Sequence, residues 1–80
     1  MKIEDERFIK LNRNTSEFYL VLRYKQGHCP GTFYRKLFEV IMDADTENRG
    51  LLRLAFPIIV GSLDLYKSYS VEEIIEKLRG

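Results

Sequence analysis

Residues 28–57 read HCPGTFYRKLFEVIMDADTENRGLLRLAFP, and the punctuation of that stretch decides the fold. Pro30-Gly31-Thr32 stops one segment and starts the next, because proline cannot continue a helix and a hydroxyl residue suits a helix entry. Tyr34, Leu37, Phe38 and Ile41 then recur at i, i+3, i+4 and i+7, the spacing of a helix with one apolar face. Phe33 and Val40 widen that stripe. Thr32 is the expected N-cap, the helix is expected to end near Ala44, and its apolarity places it at the centre of the fold. Asp45 caps a further segment in which Asn48, Leu51, Leu52 and Ala55 repeat the spacing. Gly50 lies inside it at a cost of about 1 kcal/mol relative to Ala, which is more easily tolerated if another backbone approaches closely there. Phe56-Pro57 forces a break, and Pro57 suits an early position of the helix that follows.

Working outward, Asn14-Thr15-Ser16-Glu17 reads as a helix start, with Asn14 as N-cap and Glu17 three positions in. Phe18, Val21 and Leu22 share a face, Tyr19 and Tyr24 flank it, and Gly27 supplies a left-handed end, giving a helix near 15–26. Downstream of Pro57, a helix over about 58–68 carries Ile58, Ile59, Val60, Leu63, Leu65, Tyr66 and Tyr69, which cover most of its circumference. Ser70-Val71-Glu72-Glu73 is a capping box, followed by Val71, Ile74, Ile75 and Leu78 at helical spacing. Residues 1–13 hold Ile3, Phe8, Ile9 and Leu11 in a charged setting and read as a helical turn, a flexible end or a docking arm. The expected architecture is all-α: a single domain over 1–80, a small bundle of four short helices plus that N-terminal segment.

Size and charge narrow the function. Eighty residues, 45% of them apolar with five Tyr and five Phe, make one globular unit that buries about 60% of its unfolded surface. So small a core favours self-association. Thirteen basic against twelve acidic residues disfavour nucleic acid as a partner, since phosphate backbones demand a basic excess. A DNA-binding regulator would need Arg35, Lys36, Arg49 and Arg53 on one exposed face. The single Cys29 excludes an internal disulfide and fits a reducing compartment. MKIEDERFIK has no apolar core of the signal-peptide type, and Leu51–Leu63 is interrupted by Arg53, Pro57 and Gly61. A cytoplasmic protein with no membrane partner is expected.

The combination Pro30-Gly31-Thr32-Phe33, Leu37-Phe38, Ala44-Asp45, Asn48, Leu51 and Ala55-Phe56-Pro57 resembles a loose class of short helical proteins of bacteriophages and mobile elements. Those proteins tend to follow the proline with acidic residues, whereas Ile58-Ile59-Val60 follow here, which favours burial or a partner contact for that helix. The resemblance implies an accessory protein of the phage type, a counter-defence factor acting in the host cell cytoplasm, with no reaction of its own.

Four constellations carry candidate chemistry. Gly31 and Thr32 at a helix start, with His28, Arg35 and Lys36 nearby and Tyr34 or Phe33 to stack a base, would hold a phosphorylated ligand such as a nucleotide signal. The plainer account is a turn and cap, because the glycine spacing of a phosphate loop is missing. Asp43-Ala44-Asp45-Thr46-Glu47 opens like a calcium loop but has Asn48 for the turn glycine and Leu54 for the closing glutamate. His28-Cys29 lacks the further ligands that zinc requires. Tyr19, Tyr24, Tyr66 and Tyr69, with Ile58, offer an aromatic surface of the kind enriched at protein interfaces. No cofactor, metal or catalytic set emerges, so the expected role is non-enzymatic binding of a host or phage protein.

Overall fold

The computed structural model describes residues 1–80 and contains six α-helices and no strand: α1 Ile3–Asn12, α2 Ser16–Lys25, α3 Thr32–Asp43, α4 Thr46–Ala55, α5 Pro57–Ser68 and α6 Val71–Arg79. The all-α class is as the periodicity indicates, but the count is higher than four. The Ser70 capping box starts a full helix of its own, with both reciprocal bonds present, and residues 3–12 form another.

Two helix starts differ from the sequence reading by one residue. Thr15, not Asn14, caps α2, accepting from the Phe18 amide at 3.2 Å. Gly31, not Thr32, is the N-cap of α3, and no side chain bonds to that helix start. Asp45 caps α4 as expected, its Oδ1 accepting from the Asn48 amide at 2.8 Å. Gly27, at φ 97°, ends α2 in a Schellman motif, with the His28 amide bonded to the Arg23 carbonyl and the Gly27 amide to that of Tyr24.

The centre of the molecule is α5, not α3. It packs against α1, α2, α3 and α4, and its length is buried at Ile59, Val60, Ser62, Leu63 and Leu65. One core cluster joins Ile59, Val60 and Leu63 to Val21 of α2 and to Phe38 and Ile41 of α3. A second joins Leu65 to Ile9, Phe18 and Ile74. Ile58-Ile59-Val60 is thus a core segment, with Ile59 and Val60 buried and Ile58 packed against the second cluster. No neighbour approaches Gly50, where an added Cβ would meet nothing, whereas at Gly61 a Cβ would stand 2.6 Å from Phe8 Cζ, a side-chain atom of α1. Helix α1 is tied further by Tyr69, whose hydroxyl donates to Asp5 at 2.7 Å. No helix is long and apolar enough to cross a membrane.

Candidate functional site

The Schellman turn at the end of α2 folds the chain back so that His28 comes over the last turn of its own helix. His28 Nδ1 lies 3.4 Å from an Arg23 guanidinium nitrogen, and the Arg23 guanidinium carbon stands 5.9 Å from the centre of the Tyr19 ring. These three side chains, with Tyr24, Cys29 and Pro30, line an open groove of about 510 Å3 between α2 and the loop before α3. Tyr19 is 56% exposed and forms one wall. Tyr24 is held in place from beneath, edge-on to Phe38 at 4.9 Å between ring centres. The groove combines aromatic walls with a guanidinium and an imidazole at one edge, so it favours an anionic group attached to an apolar body.

Of the six residues expected to hold a phosphorylated ligand, Gly31, Thr32, Tyr34, Arg35 and Lys36 lie at the start of α3 and His28 in the loop before it. His28 belongs to the α2 groove. Arg35 reaches Glu39 at 3.3 Å, one turn along its own helix. Gly31 and Thr32 are exposed at the start of α3, Tyr34 leans on Phe33 and Phe38, and Lys36 is exposed with no ion pair. Among the expected interaction residues, Tyr19 is the exposed one, and Tyr24, Ile58, Tyr66 and Tyr69 are half-buried. Tyr66 touches both core clusters, and burial pushes its hydroxyl up to about 12. Lys25 Nζ stands between Tyr24 and Tyr66, 6.0 and 5.8 Å from their ring centres.

Two features escape the sequence reading. Phe33 and Val40, read as core, are 66% and 56% exposed, and Leu51 and Leu54 of α4 are 60% and 83% exposed. Val40, Asp43, Ala44, Leu51 and Leu52 line a second groove where α3 meets α4. The signal was available in α3, whose apolar residues occupy more than one face: Phe38 and Ile41 point inward, which leaves Phe33 and Val40 outward. The other feature is Arg49, buried although its neighbours look solvated. Its Nε donates to Asp64 Oδ1 at 3.0 Å and its Nη1 to the Ile41 carbonyl at 2.6 Å, while Arg53 holds Asp64 Oδ2 at 2.6 Å. Burial alone raises the Asp64 pKa, but the hydrogen bonds from Arg53 and Arg49 and their charges outweigh it, so the carboxyl sits below its ordinary range. No three His, Cys, Asp or Glu side chains are grouped to hold a metal ion.

Fold and surface together define a six-helix α-bundle with one mixed aromatic–cationic groove and one apolar groove. Comparison with protein-family models, with curated proteins and with solved structures finds no match to this chain.

Proposed function

We propose that this chain is a non-enzymatic accessory protein that acts by binding another protein through the groove on α2. The observation that carries the reading is Arg23, stacked over Tyr19 and beside His28 at the edge of a groove walled by Tyr24. Arginine and tyrosine dominate the energetics of protein interfaces, because each covers apolar area while offering fixed hydrogen bonds. The complementary element is an acidic side chain flanked by apolar residues: the carboxylate meets Arg23 and His28, and its neighbours lie against Tyr19 and Tyr24. The resemblance to phage and mobile-element proteins makes a host or phage protein the target and counter-defence the setting.

The test is affinity capture from host lysate with wild type, Tyr19→Ala and Arg23→Glu, both exposed positions. Wild type is expected to retain a defined protein that both variants lose, with unchanged circular dichroism and melting temperature. Equal capture by all three, or none by wild type, would refute the groove as the binding site. A nucleotide-dependent rise in melting temperature that Arg35→Glu abolishes would point to the α3 start instead.

A further inference from the structure

A different surface carries an inference that does not rest on the α2 groove. Along α3, Phe33 and Val40 are seven residues apart and so lie on one side of the helix; along α4, Leu51 and Leu54 are one turn apart. Val40 and Leu51 both line the groove between the two helices, so one residue of each stripe borders the same groove. These four side chains, 56–83% exposed, present on the order of 400 Å2 of apolar surface, the size of the largest patch on a typical monomer, which is often functional. It matches the apolar core of an interface of about 800 Å2 per partner.

The charges around this face say what covers it. Lys36 lies beside Phe33 and Val40 on α3. Glu47 precedes Leu51 by one turn on α4, and Asp43 lines the groove. None of the three has an ion-pair partner within the chain, whereas Arg35, Arg49, Arg53 and Lys67 are all paired. The face is therefore positive towards the start of α3 and negative where α3 passes into α4. A two-fold axis through the Val40–Leu51 groove exchanges those ends and sets Lys36 of each copy against Asp43 and Glu47 of the other. An isologous contact requires this polarity, because the same patch must complement itself. The net charge of +1 adds little repulsion between copies. We infer that the α3–α4 face is a homodimer interface, occupied by a second copy of this chain with Phe33, Val40, Leu51 and Leu54 at its centre.

The experiment is sedimentation equilibrium on the full chain over a wide concentration range. Wild type is expected to reach twice its 9.5 kDa mass, and Val40→Glu and Leu51→Glu to raise the dissociation constant at least tenfold with helicity intact. Lys36→Glu and Glu47→Lys are each expected to weaken the dimer several-fold, and the double variant to regain most of the loss. Wild type that remains monomeric at about millimolar concentration overturns the inference, even if groove capture persists. So does a dimer that survives both Val40→Glu and Leu51→Glu, or a double charge reversal no stronger than either single one. Capture of a foreign protein by this face in place of a second copy also overturns it.

Discussion

Arg49 of α4 closes onto Asp64 of α5, and the same guanidinium donates to the Ile41 carbonyl near the end of α3. One side chain thus ties three helices at the point where the chain reverses. The arginine side chain is 11% exposed and the aspartate 29%, so the pair sits mostly out of water. The Ile41 carbonyl, which also accepts from the Ala44 amide at 3.4 Å, gains a shorter, charged donor there at the helix end.

Removing Arg49 leaves Asp64 with the Arg53 hydrogen bond alone and the Ile41 carbonyl with only the long bond from the Ala44 amide at 3.4 Å. Breaking a buried pair by deleting one partner costs about 3–5 kcal/mol, and the partial exposure of Asp64 puts this one at the low end. Arg49→Ala is expected to destabilise by about 3 kcal/mol in urea unfolding. Arg53→Ala, at a side chain half exposed, is expected to lose under about 1 kcal/mol. Equal losses for the two would contradict the assignment of Arg49 as the buried member.

The same cluster sets an acid limit. Asp64 is held below its ordinary range in the folded state, so its stabilisation is complete above the unfolded carboxylate range near pH 4 and is lost as pH falls through the lower folded value. Melting temperature is expected to fall on that side. Asp64→Asn should be less stable at neutral pH and lose less on acidification; an unchanged acid slope would remove Asp64 as the cause.

Much of this architecture is legible in residue order because capping and periodicity are local. Asp45, Gly27, Pro57 and the Ser70–Glu73 box all act over four residues, and each does what its spacing indicates. Which helix occupies the centre is a non-local property. The amphipathic pattern of α3 suggests a core helix, yet the nearly all-round apolar α5 takes that place, since a helix apolar on every side has no face to give to water. Arg49 and Asp64, fifteen residues apart, are joined only by the α4–α5 turn. Tyr24, Tyr66 and Tyr69 read as surface because Tyr suits both environments, and tertiary contacts decide between them. Phe33 and Val40 are legible in part: they share a face apart from that of Phe38 and Ile41, but spacing does not say which of the two faces is buried.

Tyr66 sets the alkaline limit. Burial raises its folded pKa to about 12 from 10, so the neutral hydroxyl contributes fully below pH 10, and that contribution drains as pH rises from about 10 to about 12. Stability is expected to decline across that window, with a late tyrosine ionisation by ultraviolet absorbance that Tyr66→Phe removes. Tyr66→Phe should flatten the decline, and a single tyrosinate transition near pH 10 would show that the hydroxyl is not desolvated.

Ser62 is 1% exposed, and its Oγ has no hydrogen-bond partner. A buried hydroxyl without a partner costs about 1–3 kcal/mol, and alanine is also the better helix former. Ser62→Ala is expected to raise the melting temperature by about 4–8 °C, the shift that follows from about 1 kcal/mol in a domain of this size. A lower melting temperature would mean that the hydroxyl is satisfied after all.

Two glycines in helix interiors make opposite predictions from the same substitution. Alanine gains about 1 kcal/mol over glycine in a helix when nothing obstructs its methyl group. At Gly50 of α4 the space is open, so Gly50→Ala is expected to stabilise by roughly that amount. At Gly61 of α5 the methyl group would clash with the edge of the Phe8 ring, 2.6 Å from its Cζ, and overpacking of that kind costs about 1–3 kcal/mol. The ring is the far end of a side chain and can swing, but in doing so it gives up its packing against the second core cluster. Gly61→Ala is therefore expected to lower stability by about 1 kcal/mol net, with faster amide exchange in α1 than in α4. If Gly61→Ala instead melts above wild type, Phe8 does not pack on α5 in solution and the seating of α1 is wrong.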